Sequence, residues 1–154
     1  MYWPARYFTG LTQKQNLQRK RSATRRRAMS WKNPKAYRPF LTDKGVKTRT
    51  SKYVKEWRRK FPKAHSLQAY SKATGVPLSI VKASYNRGMA AWRTGHRPGA
   101  SAQQWGYARA ASMLTCGKTH YTTDADLVRK AKKTAKARSW FNKTCKTSHV
   151  KYNK

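Results

Sequence analysis

The sequence predicts an all-α protein: a small helical domain with a long extended basic N-terminal arm and a short basic C-terminal tail. Three observations lead there. Apolar residues recur at helical spacing from Ser51 onward, while strand-like alternation is scarce. Helix-capping residues precede most of these apolar runs. Charge is heavily one-sided, with 37 Lys and Arg against four acids, and the first fifty residues are dense in cations but poor in apolar periodicity. The expected division is a partner-ordered basic arm over 1–50, a helical core over 51–142 and a basic tail over 143–154.

Thr12-Gln13-Lys14-Gln15 has the form of a capping box, and nothing up to Met29 breaks a helix. The apolar positions of that stretch (Leu17, Ala23, Ala28, Met29) are few and surrounded by Lys and Arg, so such a helix needs a partner to neutralise it. Residues 31–50 read as an extended segment with aromatic anchors, since Pro34 and Pro39 disfavour regular structure. Ser51 caps a short helix carrying Tyr53, Val54, Trp57 and Phe61, stopped by Pro62. Ser66 to Thr74 is a second, closed by Gly75. Pro77 suits the first turn of a longer helix with Leu78, Val81, Tyr85, Met89 and Trp92 on one stripe. Thr94 to Gly99 is a rigid loop. Ser101-Ala102-Gln103-Gln104 opens a helix to about Leu114, Cys116 to Thr122 is a loop, and Thr123-Asp124-Ala125-Asp126 caps a last helix bearing Leu127, Val128, Ala131, Ala135 and Trp140.

The formal charge of +33 over 154 residues repels itself unless counter-charge comes from a partner. Nucleic acid, an acidic protein surface and anionic lipid are the candidates. Asp43, Glu56, Asp124 and Asp126 leave little for acid–base chemistry or for holding magnesium, so no enzyme activity, catalytic residue, cofactor or small-molecule substrate is assigned. Six Trp and nine Tyr imply a modest core, which a wholly disordered basic chain would lack. The opening Met1-Tyr2-Trp3-Pro4-Ala5-Arg6 has no apolar h-region, so a signal peptide is not expected, and apolar runs such as Val76 to Val81 are too short to span a membrane. Two cysteines do not make a disulfide framework; a reducing compartment is the expectation.

The run from Lys14 to Arg27 is the strongest functional signal. Arg19, Lys20, Arg21, Arg25, Arg26 and Arg27 are the expected phosphate contacts, which give salt-dependent affinity without reading sequence. Residues 66–85 carry a helix–turn–helix rhythm that would expose Lys82, Asn86 and Arg87 to DNA, although a pair of core helices with a glycine cap is the preferred reading. Cys116, His120, Cys145 and His149 form two i, i+4 pairs that suggest four zinc ligands; the spacing differs from the usual close Cys pair, and no metal is assigned. Gly117-Lys118-Thr119 imitates a phosphate-binding loop but lacks the glycine five residues earlier, where Ser112 stands.

The run Gly75-Val76-Pro77-Leu78-Ser79-Ile80-Val81-Lys82, with Arg87 to Ala100, Gln104 to Arg109, Gly117-Lys118-Thr119 and Thr123 to Leu127, resembles an uncharacterised family of basic proteins of large double-stranded DNA viruses and marine phages. The upstream segment Met29 to Tyr37 resembles it too, whereas Cys116 and His120 depart from its usual pattern. The resemblance implies a viral protein located in the virion, with capsid proteins or the packaged genome as partner. The first expectation is a minor capsid (cement) protein whose arm docks neighbouring capsid subunits through Trp3, Tyr7, Trp31, Tyr37 and Phe40. The second is a nucleic-acid-binding protein that organises the genome through phosphate contacts.

Overall fold

A computed structural model describes residues 1–147. Eight α-helices follow one another: α1 Gln13–Arg27, α2 Lys52–Lys60, α3 Leu67–Thr74, α4 Leu78–Trp92, α5 Ala102–Leu114, α6 Lys118–Tyr121, α7 Ala125–Ala131 and α8 Ala135–Thr147. No strand occurs among the described residues. None of the helices is long and apolar enough to cross a membrane.

The predicted caps account for several boundaries. Thr12 and Gln15 form the reciprocal capping box that opens α1. Ser51 and Ser66 accept from Tyr53 and Ala69 backbone N–H groups at the starts of α2 and α3. Gly75 ends α3 at φ 74°, and a Cβ there would stand 2.7 Å from the Lys136 Cβ, so the turn needs glycine both for its dihedral and for the close approach of α8.

Three local expectations differ from the structure. Residues 31–50 are not simply extended, because Pro34–Tyr37 and Leu41–Asp43 each close a 3₁₀ turn. Four residues of the loop after Cys116 form α6. The single last helix is two, since the N–H groups of Lys133 and Thr134 donate to the carbonyls three residues back and tighten the chain between α7 and α8. Residues 143–147 continue α8, and the remainder of the predicted tail, His149 included, lies outside the described residues.

The described chain folds as two compact units, residues 1–49 with 88–105, and residues 50–87 with 106–147. Residues 88–105, expected within the helical core, group with residues 1–49. The physical reason is aromatic. In the first unit Trp92 and Phe40 are buried, with ring centroids 5.5 Å apart, and Trp92 Nε1 donates to the Ala100 carbonyl at 2.7 Å. Ala23 and Ala102 complete this core, with Trp3, Tyr37, Met89 and Trp105 packed on it. The N-terminal segment is therefore ordered by another part of its own chain, not held as a free arm.

The second unit builds its core from Val54 and Trp57 of α2, Tyr70, Val76, Ile80 and Val81 around the α3–α4 turn, Met113 and Leu114 of α5, and Leu127, Val128 and Phe141 further on. Trp57 is fully buried, donates to the Ala64 carbonyl and packs between Phe61 and Tyr70. The α3–α4 pair is joined at the Gly75 cap and packs into this core. Cys116 and Cys145 are joined as a disulfide with Cα atoms 5.2 Å apart, a correction to the reading of two thiols. Their separation of 29 residues hid the pairing, and closing a loop of that length contributes about 3–4 kcal/mol.

A fragment of residues 1–50 is expected to be largely unfolded in isolation, because Trp92, Trp105 and the groups around His96 are missing from it. Circular dichroism checks this; cooperative melting of that fragment would show that its core needs no residues from 88–105.

Candidate nucleic-acid interface

Helix α1 has two opposed faces. Arg19, Ala23, Arg26 and Arg27 follow at spacings of four, three and one and turn inward; Lys14, Leu17, Arg21 and Arg25 turn outward. The inward face is anchored by Asp43. Arg19 is buried, and its Nη1 donates to Asp43 Oδ1 at 2.8 Å and to Thr42 Oγ1 at 2.6 Å, while Nη2 donates to the His96 carbonyl at 2.6 Å. The other Asp43 oxygen lies 2.7 Å from His96 Nε2 and accepts from the Phe40 N–H at 3.2 Å; Oδ1 also accepts from the Gly99 N–H. His96 stacks on Trp92 at 4.2 Å, and its Nδ1 is 2.9 Å from the Trp92 carbonyl oxygen.

Burial acts to raise the Asp43 carboxyl, but the hydrogen bond and charge of His96, with Arg19 and the Gly99 N–H, outweigh it and hold its pKa below the usual carboxylate value. At His96 burial is the largest influence and pushes the pKa down against the pull of Asp43.

Two more arginines serve helix ends. Arg93 Nη1 donates to the carbonyls of Arg26, Arg27 and Met29 at the C-terminus of α1, and Arg27 Nε donates to the Thr94 carbonyl just past α4. Both place a cation on the negative end of a helix. Arg26 Nη1 donates to the carbonyls of Ala36 and Arg38 and its guanidinium lies over the Phe40 ring.

Of the six expected phosphate contacts on α1, the buried Arg19 and the half-buried Arg26 and Arg27 are therefore engaged inside the first unit, by Asp43 and by backbone carbonyls. Lys20 is half-buried over Phe8. Arg21 and Arg25 remain exposed and stand between two grooves. One groove, of about 570 Å³, is lined by Lys14, Leu17, Gln18, Arg21, Ser22, Arg25 and Arg26 opposite Pro39, Phe40 and Leu41. The other, on the far side of the same ridge, is lined by Met1, Trp3, Lys20, Arg21, Thr24 and Arg25. Leu17 and Leu41, 56% and 76% exposed, give the first groove apolar edges. Lys14 lies in the basic run but was not singled out as a contact, and Leu17 and Leu41 were not expected there; the spacing 14–17–21–25 was the available signal.

The aromatic anchors are divided in the same way. Phe40 is core. Trp3 packs on that core with Arg27 over its ring at 4.3 Å. Tyr7 tilts against Trp105, and Tyr37 donates its hydroxyl to the Trp31 carbonyl. Trp31 alone of the five is largely exposed, at 56%.

In the second unit Asp124 is buried and receives Arg109, Arg87 and the Ser84 hydroxyl, the last at 2.6 Å. Arg87 also forms a two-point pair with the exposed Asp126, whose hydrogen bond is the main reason its own pKa is held above the ordinary arginine value. Arg87 is thus a structural clamp and not a free phosphate contact, whereas Lys82 is exposed. Glu56 pairs with Arg59 on α2.

The class that emerges is a small all-helical protein whose four acids are all engaged in ion pairs within the chain, while among the described residues the exposed Lys14, Arg21 and Arg25 of α1 have no acidic partner. Residues 4–132 match the model of the family of unknown function DUF5824, and the chain belongs to that family. No curated protein and no solved structure matches it.

Asp43→Asn should destabilise the first unit by about 3–5 kcal/mol, the usual effect of leaving a buried partner charge uncompensated. Denaturant melts test this, and a loss under about 1 kcal/mol, the scale of an exposed pair, would remove Asp43 from its central position. Acid should also loosen this unit. Both folded pKa values lie below the ordinary 6.5 of His96 and 3.8 of Asp43, so the unfolded chain binds more protons. Stability is full above the ordinary histidine value, falls as pH drops through it, and falls again below the ordinary carboxylate value. Melts across that range in the native chain and in His96→Gln should show the upper step only in the native chain.

Proposed function

We propose that this protein binds nucleic acid along the phosphate backbone, with the outward face of α1 as a principal contact. The observation that carries this reading is the internal use of Asp43, Glu56, Asp124 and Asp126: each pairs with an arginine of its own unit, so the outward cations of α1, Lys14, Arg21 and Arg25, have no acidic partner among the described residues. An external polyanion is the partner that lowers the repulsion. Lys14, Arg21 and Arg25 share the outward face of α1, seven and four residues apart, so one backbone could run along all three, and the exposed Leu17 and Leu41 offer contact to sugars. The reading is one of binding, in keeping with four carboxylates that are each held in an ion pair. The resemblance to proteins of large double-stranded DNA viruses makes the packaged genome the expected partner and the virion the expected location.

The capsid-cement reading has one favourable observation, the exposed Trp31 beside Lys32. Its other anchors pack within the first unit, which is why the genome reading is preferred. Partitioning of the chain in purified particles separates the two: release with the DNA supports genome binding, and retention in emptied shells supports cementing.

Replacing Lys14, Arg21 and Arg25 together by Gln should weaken duplex binding uniformly across sequences. The slope of log affinity against log salt should become shallower by about 0.9 per lost phosphate contact. Fluorescence anisotropy over a salt series measures this. An unchanged slope in a folded variant would move the contact away from α1.

A further inference from the structure

We propose that Cys116, Cys145 and His120 form a site for a soft divalent metal of the zinc class, and that this metal and the Cys116–Cys145 disulfide are alternative occupants of it. The inference does not rest on the nucleic-acid reading. The three donor atoms lie within 4.8 Å of one another. Cys116 and His120 are buried, and Cys145 is half-buried, which leaves the sulfurs a route to solvent.

His120 is held as a ligand histidine usually is. Its Nδ1 is 3.0 Å from the Met113 carbonyl oxygen, so the ring proton is placed there and the Nε2 lone pair faces the sulfurs. Phe141 and Tyr121 pack edge-on against the ring, with centroids at 5.0 and 4.6 Å, and fix its plane. His120 Nε2 stands 3.6 Å from Cys145 Sγ. A tetrahedral zinc with Zn–N of about 2.0–2.1 Å and Zn–S of about 2.3 Å requires an N···S separation of about 3.5 Å. The nitrogen and this sulfur already have the spacing of two ligands on one ion.

Cys116 adds an independent observation. It has φ 59°, the left-handed region, directly after the end of α5, where glycine is the favoured residue. A cysteine at a position that favours glycine puts a sulfur beside His120 at the expense of local backbone comfort. Two sulfurs and one imidazole, with no carboxylate among them, make a soft donor set that suits zinc over magnesium or calcium.

Exchange between the occupants balances as a two-electron step. A dithiol reductant attacks a cystine sulfur, the Cys116–Cys145 bond breaks, and the reductant leaves as its own disulfide, with two electrons and two protons retained on the protein thiols. Metal binding then releases both thiol protons to solvent and forms two metal–thiolate bonds and one metal–imidazole bond. In the reverse direction a disulfide oxidant accepts the two electrons, the sulfur–sulfur bond re-forms and the metal departs. Either occupant ties α8 to the end of α5, so the second unit stays cross-linked under reducing and oxidising conditions alike.

Cobalt(II) and zinc(II) titrations of the full chain, reduced with a phosphine, test this. The expected result is one ion per chain, tetrahedral cobalt bands with thiolate-to-cobalt charge transfer, and no such spectrum from the disulfide form. His120→Ala should lose affinity by more than about tenfold, the scale seen even for outer-shell partners, and Cys145→Ser should abolish the charge-transfer signature of two thiolates. Because either variant can fail to fold, alkylation of the reduced native chain supplies a second measurement: zinc should protect both cysteines. A reduced, helical native chain that takes up no metal, or whose cysteines alkylate equally fast with and without zinc, overturns the proposal. So does equal metal uptake by the disulfide form.

Discussion

The Asp43 carboxylate organises the first unit. Its two oxygens reach Arg19, His96 and the N–H groups of Phe40 and Gly99, and so join α1, the turn at 41–43 and the loop after α4. Those segments are far apart in sequence and share few apolar residues. A buried arginine without this carboxylate would carry an unpaired charge out of water, which is among the costlier defects a fold can contain. The hydrophobic contact between Phe40 and Trp92 forms beside that pair and excludes water from it. In a chain with so few acids, placing one of them here determines what the first forty-nine residues can do.

The same economy governs the second unit, where Asp124 takes Arg87, Arg109 and Ser84 in a buried position. Helix ends do further work of this kind. Arg93 and Arg27 are held by backbone carbonyls at the C-termini of α1 and just beyond α4, where partial negative charge substitutes for scarce carboxylates. Internal arginines are thereby neutralised by acids and dipoles, and the remaining cations face outward. Structural and functional cations are adjacent on α1, separated only by which side of the helix they occupy.

Much of the helical layout was legible. The Thr12, Ser51 and Ser66 caps, the Gly75 stop and the stripe through Val81 and Trp92 are local signals, set by backbone satisfaction and 3.6-residue spacing within a few residues of each other. The break between α7 and α8 was not legible, since Lys132, Lys133 and Thr134 contain no strong breaker. On α1, composition marked Arg19, Arg26 and Arg27 as equal to Arg21 and Arg25. Only their angular position relative to Ala23 distinguishes them, and that distinction acquires meaning once Asp43 and Arg93 are known to lie on one side. The aromatic residues 3, 7, 37 and 40 read in the sequence as anchors for a partner, whereas in the folded chain they pack within the first unit.

The sequence by itself determined the helical class, most helix limits and an excess of positive charge that an anion must answer, because these follow from local propensity and from counting. Tertiary structure decided which cations remain available, that residues 88–105 complete the N-terminal unit, and that Cys116, Cys145 and His120 meet. Each of those depends on pairings across dozens of residues, whose register no local pattern encodes. A buried carboxylate chooses its arginines by proximity in the folded chain, and proximity exists only after folding.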